Sequence, residues 1–320
     1  MHVLSYDVIM GISQALDIAE NRHKALIVWQ ESAPFCAGAN LYEVLMSAKY
    51  GKLEQKAGLM GKLKQKVVET VSDLPKLEEN MPNVKDVIVQ LQKVFMRLKH
   101  GPVPTIAAVN GIALGGGCEL LLHCDRVVAS LESYIGLVEI GVGVLPAGGG
   151  CKEMALRASI DAKGNEIFPF VVKYFENIAK ATVATSAIEA KEMGYLRSAD
   201  KIVMNPNEIL HVAHSEAKAL ANSYTPPWQV PIKVAGDGGR ATIQAQLLNY
   251  FEGDFISEHD YNIAIQIATV MTGGDVAPNT MVSDERLLNL EAEHFITLMK
   301  TKKTQARIEH MLKKGKPLRN

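Results

Sequence analysis

The sequence predicts an α/β core followed by a helical C-terminal segment. Three observations carry this. Short, uninterrupted apolar runs alternate with stretches of helical periodicity up to about residue 204. Glycine-rich turns follow two of those runs. After about Tyr224 the apolar runs stop, and mainly helical periodicity remains.

Residues 7–21 place Val8, Ile9, Ile12, Leu16 and Ala19 at helical spacing, so an amphipathic helix is expected there. Ala25-Leu-Ile-Val-Trp29 is continuously apolar and reads as a buried strand. A turn-rich loop, 31–40, ends it. Residues 41–99 read as a long helical stretch, broken near Leu74-Pro75 and Met81-Pro82 and ended by Pro102 and Pro104. Thr105-Ile-Ala-Ala-Val109 is a second buried strand. It runs through Asn110-Gly111 into Gly115-Gly-Gly-Cys-Glu119, where a helix of modest length starts. Arg126-Val-Val-Ala-Ser130 is a third strand, and Gly141-Val-Gly-Val-Leu-Pro-Ala-Gly-Gly-Gly150 is a second glycine-rich loop. Strand–helix alternation is expected to continue to Ile202-Val-Met204, where Asn205-Pro206 offers a cap and an N1 proline.

Thr225-Pro-Pro-Trp228 and Gly236-Asp-Gly-Gly239 read as breakers. Beyond them, helices are expected at 241–251, 257–271, 283–300 and 304–313, with Ser257 (paired with Asp260) and Ser283 as N-caps. Two parts result: a core over 1–224, with a long helical insertion at about 41–101, and a helical segment over 225–320.

Composition narrows the function. The chain has 320 residues, 48% of them hydrophobic, enough for a large core without staples. Its 34 basic and 35 acidic side chains leave a net charge of −1, so no nucleic-acid surface is expected. The lysines around 62–66 and 300–303 read as solvated helix faces. Cys36, Cys118, Cys124 and Cys151 form no CxxC pair and read as reduced, buried thiols. The nine histidines form no HExxH motif, and no metal site is expected. The N-terminus lacks a signal-peptide layout, and no run of ~18 apolar residues marks a membrane span. A soluble, cytoplasmic protein is expected. Gly141-Val-Gly-Val-Leu-Pro carries proline where a dinucleotide fingerprint needs its third glycine, and Gly236-Asp-Gly-Gly fails the spacing. No NAD site is expected.

The chemistry sits in the glycine-rich turns. Gly116 and Gly117 lie at a helix start, where free N–H groups and the dipole favour negative charge. Fixed donors of this kind suit a carbonyl oxygen that gains charge. Glu119 falls in the same first turn, and Glu139 follows just ahead of the second glycine-rich loop. Two carboxylates beside such donors suit acid–base addition of water to a conjugated carbonyl. Taken singly, each feature also has a plainer reading: glycines for close helix–strand packing, and a first-turn Glu for the dipole.

The strings themselves decide between these. Pro34-Phe-Cys-Ala-Gly-Ala-Asn-Leu41, Val109-Asn-Gly-Ile-Ala-Leu-Gly-Gly-Gly-Cys-Glu-Leu120, Ile135-Gly-Leu-Val-Glu-Ile-Gly-Val-Gly-Val-Leu-Pro-Ala-Gly-Gly149 and Ala187-Ile-Glu-Ala-Lys-Glu-Met-Gly-Tyr-Leu196 occur in order. Together they resemble the crotonase, or enoyl-CoA hydratase, family. The resemblance implies a crotonase-like ββα spiral core, here with a helical C-terminal extension, and an acyl-CoA thioester as substrate. It implies backbone N–H groups of Ala39 and Gly116 as an oxyanion hole, and Glu119 and Glu139 as catalytic residues sharing one water. It also implies the N–H of Ala147 as a contact to that water, and Ala37 and Leu41 as residues flanking the CoA adenine. Coenzyme A is then part of the substrate, no separate cofactor is needed, and a trimer-based homo-oligomer is expected. The C-terminus looks like that of the branch in which a 3-hydroxyacyl-CoA dehydrogenase domain precedes the hydratase domain. The family's usual N-terminal strand hairpin, with a CoA-contacting basic residue, has no counterpart here, which points to a fragment of a longer polypeptide or an unusual start. The reaction expected is hydration of 2-enoyl-CoA; the alternatives are double-bond isomerisation in the same family, which often needs only one carboxylate, and acyl-CoA binding without turnover.

Overall fold

The computed structural model describes residues 2–50 and 82–320. Helix α1 (Tyr6–Arg22) is capped by Ser5, whose side chain accepts from the Val8 N–H, and it turns Ile9, Leu16 and Ala19 inward. Strand β1 (Leu26–Trp29) and helix α2 (Leu41–Tyr50) follow. The long stretch expected over 41–101 is seen at its two ends, α2 and α3 (Val84–His100). The break expected at Leu74-Pro75 lies outside the described residues.

Strand β2 (Thr105–Val109) is buried along its whole length. Its two faces serve different clusters, as a period of two requires. Ile106 and Ala108 pack with Val128, Ile209, Ala213 and Ala217, whereas Ala107 and Val109 join the main core. The chain then reverses at Gly111 (φ +72°) into β3 (Ile112–Leu114), and α4 (Gly116–Leu122) starts directly after it. Strands β4 (Arg126–Ser130) and β5 (Tyr134–Gly136) repeat the pattern. With β6 (Lys201–Val203), the main sheet is parallel with order β1-β2-β4-β6, and β3 and β5 pair in a second, smaller parallel sheet.

The alternation expected beyond the third strand gives way to helices. A 3-10 turn (Glu139–Val142), then α5 (Gly150–Ala162), α6 (Phe168–Ala179) and α7 (Ala187–Glu192) fill the interval before β6, with only an isolated bridge from Ala184 to Ile135. Asn205 caps a short 3-10 turn (Pro206–Glu208) that leads into α8 (Ile209–Ala221). The segment 236–239 differs from its reading as a breaker. Gly236, at φ +65°, reverses the chain, and the same glycines form the first turn of α9 (Gly236–Glu252). A Cβ at Gly239 would stand 2.4 Å from that of Ala235, so the glycine permits the tight turn.

The last helices are α10 (Glu258–Met271), α11 (Asp284–Met299) and α12 (Lys302–Lys314). Ser257 and Asp260 complete a capping box on α10, and Ser283 caps α11. A two-stranded antiparallel pair, β7 (Ile232–Lys233) and β8 (Met281–Val282), precedes and separates them. Ile263, Ile267, Phe295 and Ile308 from these helices share one continuous cluster with Leu121, Leu145 and Met154 of the core. All four cysteines are buried and free. Among the described residues, no helix is long and apolar enough to cross a membrane.

Candidate active site

The site forms where β3 meets α4. Gly115 adopts φ +53°, a conformation that a side chain would oppose, and this aims the chain into the helix. The loop before α2 runs beside β3 as a third, short strand: the Cys36 N–H donates to Ile112 O at 2.9 Å, and the Leu114 N–H donates to Cys36 O at 3.0 Å. Contact at the helix start is close. A Cβ on Gly117 would lie 2.6 Å from the Cys36 Cβ, so this position needs glycine. The loop thereby brings the Ala39 nitrogen to within 3.7 Å of where a Gly116 Cβ would be. Neither the Ala39 N–H nor the Gly116 N–H is engaged in a hydrogen bond among the described residues. Ala39 is exposed, while Gly116 is buried. Ala37 and Leu41, both half-buried, stand at the two ends of the segment that carries Ala39.

Glu119 and Glu139 converge on this turn. Glu119 is buried in the first turn of α4. Its Oε1 accepts the Gly148 N–H at 2.7 Å and the Gly150 N–H at 2.9 Å. Its Oε2 lies 3.9 Å from where a Gly116 Cβ would stand. Glu139 opens the 3-10 turn, and its Oε1 lies 3.3 Å from the corresponding position on Gly115. Both Glu139 carboxylate oxygens are buried and lack a hydrogen-bond partner among the described residues.

The two acids are therefore unequal. Burial pushes the Glu119 carboxyl up to about 7, while the N–H groups of Gly150 and Gly148 and the Lys152 ammonium oppose that rise. Burial raises Glu139 well above the usual range, and the charge of Glu119 raises it further. Two acids this close share protons as a unit. With one proton between them, the negative charge settles on Glu119, where donors hold it, and the proton stays on Glu139.

A buried polar layer supports Glu119 from below. His123 Nδ1 lies 2.7 Å from Glu119 O, and the Lys152 ammonium lies 3.1 Å from His123 Nε2. Burial and Lys152 hold this imidazole well below its ordinary value, so it is neutral, donating from Nδ1 and accepting at Nε2. Lys152 and Lys99 both pair with Glu153 Oε1, and Arg157 reaches Glu153 Oε2 at 2.9 Å. That cluster of cations, opposing the effect of burial, holds the Glu153 carboxyl well below the usual range. Ala147 lies in the same loop, buried, with its carbonyl accepting from Gln92 Nε2 at 2.9 Å.

Sequence reasoning passed over Lys152, Glu153, His123 and Glu291. A charged pair one residue after the run 148–150 was the available signal for the first two. Glu291 sits in an ordinary helical pattern, which gave none. A cavity of about 390 Å³ lies behind the 3-10 turn, lined by Ile140, Phe175, Leu247, Phe255 and Arg307 among others. Neither glutamate lines it. The converging carboxylate oxygens and the unengaged N–H groups lie instead at the Gly115–Gly116 turn. No group of His, Cys, Asp and Glu suited to a metal ion occurs among the described residues.

Residues 72–223, which hold this turn and both glutamates, match the family model described as enoyl-CoA hydratase/isomerase. Those residues belong to that family, the crotonases. A Bacillus subtilis relative named as a probable 3-hydroxyacyl-CoA dehydrogenase is 35% identical over the whole chain, which spans 37% of that relative. A short-chain-enoyl-CoA hydratase from Clostridium acetobutylicum is 33% identical over 45% of the chain and 47% of its own length. A solved enoyl-CoA hydratase from Bacillus halodurans shares the crotonase fold at a TM-score of 0.55 and 16% identity, covering 96% of this chain and 90% of that one. The chain thus spans little more than a third of the long relatives that it matches end to end.

Proposed function

We propose that this chain hydrates 2-trans-enoyl-CoA thioesters to 3-hydroxyacyl-CoA, as a step of fatty-acid β-oxidation. One observation carries the reading: two buried carboxylates, one stabilised as an anion and one not, face a turn that offers two unengaged N–H groups. The N–H groups of Ala39 and Gly116 receive the thioester oxygen, which gains charge as the double bond is polarised. Ionised Glu119 takes a proton from water while the water oxygen bonds to Cβ. Glu139 gives its proton to Cα on the same face, so the elements of water add syn. The pair then returns to its starting state by passing one proton between the two acids. Ala147 N–H orients the water, and Ala37 and Leu41 flank the adenine. No NAD and no metal enter this reaction.

The family also includes isomerases, but a second buried carboxylate at the turn favours hydration. The match to long relatives supports a place as the hydratase part of a dehydrogenase-bearing polypeptide, and the family resemblance is the ground for proposing a trimer-based assembly. The test is the loss of enoyl-thioester absorbance when the protein meets crotonyl-CoA and then a longer 2-enoyl-CoA. Decay that disappears in the Glu119→Gln protein is expected. Shift of a 3-enoyl-CoA double bond without any hydration would assign isomerisation. CoA binding with no turnover on either substrate would assign a binding module.

A further inference from the structure

Glu291 is a fourth buried acid near the site, and no step proposed so far uses it. It lies on α11, has no solvent exposure, and comes from a part of the chain 172 residues after Glu119. Its Oε2 accepts the Gly149 N–H at 2.8 Å, and its Oε1 accepts the Lys152 N–H at 2.7 Å. The start of α5 therefore divides its N–H groups between two carboxylates: 148 and 150 go to Glu119, 149 and 152 to Glu291. First-turn N–H groups have no partner within their own helix and must find one elsewhere. Without Glu291, two donors would be orphaned beside the two that bind Glu119. A carboxylate that turned to satisfy them would leave its place opposite Gly116. The same helix holds the loop a second time, because Gln92 Nε2 donates to Ala147 O and to Leu288 O, both at 2.9 Å.

We propose that Glu291 is a positioning residue for Glu119: it occupies the competing donors at the α5 start and so keeps the Glu119 carboxylate aimed at the Gly116 turn. This rests on the reading of Glu119 as the base. The test compares wild type with Glu291→Gln, which keeps one acceptor oxygen, and Glu291→Leu, which keeps none. Hydration kinetics on crotonyl-CoA, calorimetric affinity for a CoA thioester, and amide exchange at Gly148 and Gly150 are measured on each.

The expected result is a kcat loss of about 10²-fold in Glu291→Leu, the scale on which ångström misplacement acts, with a smaller loss in Glu291→Gln. Thioester affinity should stay within about twofold, and exchange at Gly148 and Gly150 should quicken while the rest of the core stays protected. Unchanged kcat in either folded variant overturns the proposal. So does a loss of activity that merely tracks the folded fraction. If Glu291→Leu does not fold, Glu291→Gln decides on the same criteria. If wild type hydrates no enoyl-CoA, the hydratase reading fails by itself. Exchange at Gly148 and Gly150 then decides the positioning role: local quickening supports it, and unchanged protection refutes it.

Discussion

Replacing Glu119 with Gln should make the protein a poorer catalyst and, at high pH, a more stable one. The amide is nearly isosteric, and its oxygen can still accept from Gly148 and Gly150. What disappears is the base and the charge. General acid–base catalysis is typically worth ~10²–10⁴-fold, so kcat should fall by that range, or about 3–5 kcal/mol of barrier. Stability should move the other way. The carboxyl rises from 4.5 to about 7 on burial, and each pH unit corresponds to about 1.4 kcal/mol, so the buried anion opposes folding by about 3–4 kcal/mol. Because the folded-state value lies above the unfolded one, this opposition is absent below about pH 4.5, grows as pH rises, and is complete above about pH 7. Urea unfolding of both proteins at pH 4.5 and pH 8.5 measures it. The variant should match wild type at the lower pH and exceed it at the higher. A variant that is less stable at pH 8.5, or a gap that does not change with pH, would refute the view of Glu119 as an anion held against its burial.

Gly117→Ala should cost about 1–3 kcal/mol of stability and lower kcat on crotonyl-CoA by up to about 10²-fold, because the new Cβ would displace Cys36 and with it the Ala39 N–H; full activity would place the oxyanion donors elsewhere. Glu153→Gln should cost about 3–5 kcal/mol in denaturant unfolding, since it leaves Lys152, Lys99 and Arg157 facing one another without their shared carboxylate. His259, held down to about 4 chiefly by burial and then by Arg307 and Lys303, binds its proton more readily when unfolded. Its contribution to stability should therefore be intact above about pH 6.5 and fall away as pH drops from there toward 4. Unfolding titrations should show a component over that range in wild type and not in His259→Gln.

The parts of this fold that were legible in the sequence are those where local chemistry and tertiary placement agree. The continuous apolar run at 105–109 has one solution, a strand buried on both faces, and β2 has those bounds. Ser257 and Ser283 were readable as caps because each has an acceptor oxygen placed for the N–H three residues on. The glycines at 236–239 misled because glycine both ends and permits helices, and only the close approach to Ala235 distinguishes the two. Strands β3 and β5, at three residues each, are too short to show a period. Gly116, Glu119 and Glu139 were readable from the glycine-rich turns and Ala39 only from the string resemblance; all four lie around one turn. Glu291 could not be found that way, because its partners are backbone N–H groups, and backbone groups leave no mark on which side chain is chosen 139 residues later.

The helices at the end of the chain also bear on the other glutamate. Thr304 donates its hydroxyl to Gly143 O at 2.6 Å, and Arg307 donates to Ile140 O at 3.2 Å, so α12 grips the 3-10 turn that begins at Glu139. With Glu291 on the α5 start, each acid's surroundings draw one support from residues beyond 290. During synthesis, at about 5–20 residues per second, both glutamates leave the ribosome well before the side chains that hold them. A nascent chain stopped short of Glu291 would carry every residue of the proposed chemistry but none of these later supports. Activity should therefore switch on late and abruptly as the chain lengthens, when the last helix closes over the turn, rather than build up as each catalytic residue is added.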